Sequence, residues 1–169
     1  MVMAHLAFII ASDGNNASLA RDVAVLAQDQ GHTVDHIQLN GYDFPLYTAE
    51  RERVTDAISG LAELMERMAT AEAWFVFAPE YNGSHPPVLN NAIAWLSRQG
   101  DDFRRLFRDR PVALGTHSGG GGAHVIMSMR QQFSYLGCNV IGRSLVTNKN
   151  KTANPDSVNA MLNSLCRGL

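Results

Sequence analysis

The chain has 169 residues, 46% of them hydrophobic, which suits one domain spanning residues 1–169 with a core of ordinary size. A net charge of −2 leaves no basic excess for nucleic-acid phosphates, so no nucleic-acid partner is expected. No apolar run nears the roughly 20 residues of a membrane span, and the start, Met1 to His5, has no basic region before its apolar stretch, so neither a membrane segment nor a signal peptide is expected.

In chain order, Leu6 to Ala11 is a short apolar run and reads as a buried strand. Ser18 to Gln30 puts Leu19, Val23, Leu26 and Ala27 on one helix face, and Gly31 is the expected C-cap. Thr33 to Leu39 reads as a second strand, with Val34, Ile37 and Leu39 apolar. After a connection over 40–47, Val54 to Met68 reads as one helix carrying Val54, Ile58, Leu61, Leu64, Met65 and Met68 on one side. Ala73 to Ala78 is solidly apolar and reads as a third strand. A helix from Val88 to Arg98, a strand from Pro111 to Gly115 and a helix ending at Leu136 follow. Asn139 to Val146 is a fifth strand, and a helix from about Asp156 to Leu165 comes last. Strands alternating with helices point to an α/β fold, a parallel sheet with helices on both faces.

The three most polar and glycine-rich turns are Ser12 to Ser18, Pro79 to His85, and Thr116 to Gly122. Each follows a strand, and in an open parallel sheet the carboxyl ends of the strands are where ligands bind. The first turn runs into a helix, whose unpaired amides and partial positive charge suit a phosphate. Ser12, Asn15, Asn16 and Ser18 can add donors there. The alternative is a plain turn with Asn16 or Ser18 capping the helix. In the second turn, Asn82-Gly83 permits a tight bend with exposed backbone; the alternative is a surface turn with Tyr81 as a covering aromatic. In the third, Gly119 to Gly122 lets backbone amides converge as a nest. No G-K-[ST], G-x-G-x-x-G or G-x-S-x-G spacing is present, which excludes a P-loop, a dinucleotide fingerprint and a serine-hydrolase elbow.

The stretch from Pro79 to Trp95 reads P-E-Y-N-x-S-x-P-x-x-L-x-N-A-I-x-W, and in that wording the chain resembles the NADPH-dependent FMN reductase family. The resemblance implies a flavodoxin-like, doubly wound, five-stranded sheet of order 2-1-3-4-5, with the ends of strands one, three and four around one crevice. It implies FMN as cofactor, with Pro79, Glu80, Tyr81, Asn82, Gly83 and Ser84 at the ring. The third turn is similar to the family's S-x-G-G-x-G-G and adds His117, Ser118, Gly119, Gly120 and Gly121. The first turn, with Ser12, Asn15, Asn16 and Ser18, falls to the phosphate. It departs from the family's G-S-x-R-x-x-S-x-N, having no arginine and an extra negative charge at Asp13.

The activity implied is hydride transfer from NADPH or NADH through the flavin to a small-molecule acceptor: a quinone, free flavin, azo compound or oxidised metal ion. Both substrates would use one flavin face in turn, giving ping-pong kinetics. Hydride transfer needs no dedicated acid or base, so no catalytic residue is named, and Asn82 is read as orienting the ring. Family members pair, so a homodimer or homotetramer is expected, with Trp95 either at a subunit contact or in the core. The alternatives are an electron carrier, which would be strongly acidic and monomeric, or a flavin-free binding or regulatory module.

The remaining chemistry-bearing residues give weaker signals. His32 and His36 lie on a strand, where four residues span roughly 13 Å. They cannot share an ion, and both are expected at the surface. His85 and His117 sit by the proposed crevice, and no metal pattern is present. Arg98, Arg104, Arg105 and Arg108 read as a solvated face, or as a reserve of charge for a 2′-phosphate. Cys138 and Cys166, far apart in a chain with a good core, are expected as reduced thiols and place the protein in the cytoplasm.

Overall fold

The computed structural model describes residues 3–102 and 104–169. Met1 and Val2, part of the stretch read for a leader, lie outside the described residues. Five parallel strands, β1 (His5–Ile10), β2 (Thr33–Gln38), β3 (Ala73–Phe77), β4 (Pro111–His117) and β5 (Asn139–Thr147), stand in the order β2-β1-β3-β4-β5. The helices are α1 (Asn15–Asp29), α2 (Ala49–Val54), α3 (Leu61–Thr70), α4 (Pro87–Leu96), α5 (Ala123–Tyr135) and α6 (Pro155–Leu165). This is the flavodoxin-like order expected.

The central strands are mostly apolar because both faces are covered; every residue of β3 is apolar and buried. Alternate side chains divide between two cores. Ala7, Ile9, Trp74, Val76, Val112 and Leu114 pack with α3, α4 and α5. Leu6, Phe8, Phe75, Phe77 and Ala113 pack with α1 and α6. Each large side chain buried this way contributes about 1.5–3 kcal/mol against exposure.

The single helix expected over 54–68 is two helices. α2 starts earlier, its first turn capped by Thr48, whose Oγ1 accepts the Arg51 N–H at 3.0 Å. It buries none of its residues, and Val54 is 76% exposed. Gly60, at φ +78°, sets α3 off in a new direction, a conformation open to glycine at little cost. The apolar spacing was real from Leu61 onward; Val54 did not belong to it.

Two further expectations are corrected or decided. His32 is not at the surface: it is 4% exposed, and its Nδ1 accepts the Ala4 N–H at 3.2 Å. Burial pushes its pKa down. Trp95 is a core residue of its own chain, 2% exposed, donating its indole N–H to the Pro45 carbonyl at 2.7 Å. Together with Asn91, which accepts the Tyr47 N–H at 2.8 Å, it ties the connection after β2 to α4. Both cysteines are free thiols, and burial pushes Cys138 up to about 12.

At the β5 edge the ladder is irregular: Val112 faces Val140 but Leu114 faces Ser144. The extra residues bulge out, and Arg130 of α5 fills the gap. Its guanidinium donates to the carbonyls of Val140, Ile141 and Gly142 and to Ser144 Oγ. Among the described residues no helix is long and apolar enough to cross a membrane.

Candidate functional site

The turns after β1, β3 and β4 leave the sheet side by side. The ladder runs on into them: Ala11 N–H donates to Phe77 O, Ala78 N–H to Gly115 O, and Ser118 N–H to Thr147 O. Their bases are therefore held in register by the sheet itself.

The second turn is a two-residue hairpin. Tyr81 and Ser84 exchange both backbone hydrogen bonds, at 2.9 and 3.0 Å, with φ +52° at Asn82 and +73° at Gly83. Two successive positive φ values define a type I′ turn, which Asn-Gly adopts most readily. The hairpin leans on α5: Ser84 Oγ lies 3.0 Å from Ser128 Oγ, which is 2.6 Å from His85 Nδ1. Burial lowers the His85 pKa. Tyr81 is 51% exposed.

Glu80 joins the second turn to the third. Its Oε2 accepts the Val125 N–H in the first turn of α5 at 3.2 Å, and its Oε1 is 3.5 Å from Ser118 Oγ. A carboxylate at a helix N-terminus is favourable for the helix as well. Ser118 is buried and its Oγ accepts the Gly120 N–H at 3.1 Å. A Cβ on Gly120 would lie 2.7 Å from Glu80 Oε1, and one on Gly122 would lie 2.6 Å from Thr116 Cγ2. Gly119 and Gly121, by contrast, face open space.

The first turn is shorter than expected, because α1 begins at Asn15 rather than Ser18. Asn16 lies inside the helix and is 2% exposed. Its side-chain amide clasps the backbone of His117: Oδ1 accepts the His117 N–H at 2.7 Å and Nδ2 donates to His117 O at 3.1 Å. Ser18 sits in the second turn of α1 and accepts from Arg21 at 2.9 Å. Asp13 is turned toward the end of β2, where its two oxygens accept from Gln38 at 2.9 Å and Asn40 at 2.8 Å. Ser12 and Asn15 remain at the turn, and no side chain caps α1.

Sequence reasoning missed the Asn16 clasp, the Glu80 link and the Ser128 support. Only the first had a signal, a polar residue in the inward register of α1. Of the basic stretch, Arg98 pairs with Glu52 at 2.9 Å and Arg108 with Asp102 at 3.0 Å, as surface ion pairs do.

A flavin nucleotide needs backbone brought close to a flat polar-edged ring, and donors for a phosphate. The hairpin and glycine turn supply the first; in the glycine turn, side chains added at Gly120 and Gly122 would collide with Glu80 and Thr116. The Thr116 hydroxyl lies buried beneath them with no hydrogen-bond partner. The uncapped start of a 15-residue helix supplies the second. These residues fit FMN.

The family model described as NADPH-dependent FMN reductase matches residues 4–152. A quinone reductase of Escherichia coli (strain K12) is 34% identical over 103 residues, 60% of this chain and 53% of that protein. The chain spans about half the length of that relative. A 2-hydroxy-1,4-benzoquinone reductase of a Burkholderia species is 30% identical over 126 residues, 73% of this chain and 65% of that protein. Among solved structures, the flavoenzyme NAD(P)H:(acceptor) oxidoreductase FerB of Paracoccus denitrificans superposes with a TM-score of 0.79 at 18% identity, covering 96% of this chain and 95% of that one. That likeness is one of fold.

Proposed function

The chain belongs to the NADPH-dependent FMN reductase family, and from that premise we propose that it is a flavin-dependent NAD(P)H oxidoreductase whose electron acceptors are of the quinone class. The observation that carries this reading is the interlock of the Tyr81–Ser84 hairpin with the glycine turn through Glu80. Two relatives named as quinone reductases support the choice of acceptor. We place it in the cytoplasm, working as a homodimer or homotetramer.

FMN, when bound, supplies the two-electron chemistry that links a nicotinamide to an acceptor. The chain's part is to hold and orient it. Asn82 and Gly83 would present backbone to the polar edge of the ring, in a turn whose shape is set by its own two backbone hydrogen bonds. Gly119 and Gly121, where an added Cβ would meet nothing, leave room for the glycine turn's backbone to approach the same edge. Glu80 stays engaged with α5, which keeps its charge off the ring and stops the two turns from moving independently. The Asn16 clasp holds the start of α1 against the base of the glycine turn, so ring and phosphate donors keep one spacing. No side chain here is assigned as acid or base.

Absorbance of the purified protein tests the reading. Flavin bands, bleached by NADPH or NADH without a second enzyme and restored by a benzoquinone, are expected. Failure to take up added FMN would overturn it. Uptake of FMN with bleaching only when a separate reductase is added would make the chain an electron carrier instead.

A further inference from the structure

The first turn contains no cation, yet a phosphate monoester carries close to two negative charges. The structure offers that charge from elsewhere in the chain. Beyond β5, Asn148 to Lys151 forms a second two-residue hairpin: Asn148 N–H donates to Lys151 O at 2.9 Å and Lys151 N–H to Asn148 O at 3.1 Å. Asn148 Oδ1 braces it by accepting the Asn150 N–H at 2.9 Å. This hairpin stands beside the start of α1. Between them is a cavity of about 210 Å³ lined by Asn15 and Ser18 of α1, His117 of β4, and Thr147, Asn148 and Lys151 among others.

Resting on the flavin reading above, we propose that Lys151 is the cationic partner of the FMN phosphate, taking the part that the first turn's missing arginine plays in the family. Lys151 lines the cavity with two residues already read as phosphate donors, and among the described residues it forms no ion pair. Lys149, at the tip of the same hairpin, does not line the cavity. Asp22 lines the cavity too and is its one carboxylate, a turn further along α1 than Ser18. Asp13, the carboxylate nearest the turn in sequence, is held away by Gln38 and Asn40. His117 adds polarity of a fixed kind. The Thr147 hydroxyl donates to Thr116 O, so it accepts from His117 Nδ1–H, and the ring is held in one orientation.

The experiment compares FMN with riboflavin, which lacks the phosphate. Affinities for the full-length, flavin-stripped protein are measured by fluorescence quenching for the parent, Lys151→Ala, Lys151→Arg and Lys149→Ala. Lys151→Ala is expected to weaken FMN roughly tenfold, the scale of one charged hydrogen bond, while leaving riboflavin unchanged. Lys151→Arg is expected to keep FMN affinity, and Lys149→Ala to change it less than about twofold. Parent FMN affinity should also fall with added salt more steeply than that of Lys151→Ala. Unchanged FMN affinity in Lys151→Ala, or equal losses for FMN and riboflavin, overturns the assignment. So does intact FMN binding with a lost preference for NADPH over NADH, which would move Lys151 to the co-substrate's phosphate. A parent that binds neither flavin would instead overturn the flavin reading itself.

Discussion

At one end of the crevice the chain supplies its own constraints. The Asn82–Gly83 turn is closed by a pair of backbone bonds, backed by Ser128, and locked by Glu80 to a glycine turn with no room for a side chain at Gly120 or Gly122. At the other end, α1 opens without a cap, its first amides unclaimed and its neighbouring lysine unpaired among the described residues. Backbone donors cost free energy when left unmet away from water. On the flavin reading proposed above, a ligand would complete the open end, whereas the closed end is shaped before any ligand arrives. The first end would then govern whether any flavin binds, and the second which flavin.

Asn82→Pro should have the largest effect on that contrast. Proline locks φ near −65°, against +52° here, so the hairpin cannot form. Binding of FMN and riboflavin alike should fall by more than about 100-fold, with far-ultraviolet circular dichroism showing the fold retained. Full occupancy in the folded variant would remove the ring from this turn.

Gly122→Ala comes next. The residue sits at φ +75°, and its new Cβ would press on Thr116. A loss of about 2–3 kcal/mol in stability is expected in urea unfolding, from the backbone strain plus the clash. A loss below about 0.5 kcal/mol would show that the glycine turn yields freely, and the contrast with the first turn would vanish.

Asp13→Ala should do least. It removes two hydrogen bonds, both exposed, and should change FMN affinity by less than about threefold and riboflavin affinity hardly at all. A large drop for both flavins would mean that the first turn is as tightly built as the other two.

The strands and the three turns were legible because β1, β3 and β4 announce themselves as apolar runs emptying into glycine and asparagine, while the sheet order came with the family resemblance. The Asn-Gly pair announced a tight bend, though not that it would close as a hairpin. What escaped were contacts between residues distant in sequence. Glu80 in a motif next to a proposed ring reads as a ring contact until Val125, 45 residues on, claims one of its oxygens. Asn16 reads as a cap or phosphate donor until His117, 101 residues on, claims its amide. The start of α1 was set late because Asn15 and Asn16 are poor helix formers on their own, and tertiary contact overrides that. The break before α3 did have a local sign, Ser59-Gly60, obscured by a continuous apolar spacing. The hairpin at Asn148 to Lys151 likewise showed as a polar, asparagine-rich stretch, but its place beside α1 follows only from the path of β5.

The arginine in the β5 bulge has a consequence for self-association. An outermost strand invites a foreign strand to add itself to the sheet, and chains guard against this with bulges and charge. By holding the carbonyls of Val140, Ile141 and Gly142 with one guanidinium, Arg130 withholds acceptors that such a strand would need. Addition of a further strand at β5, from another copy of this chain or any other, is thereby disfavoured.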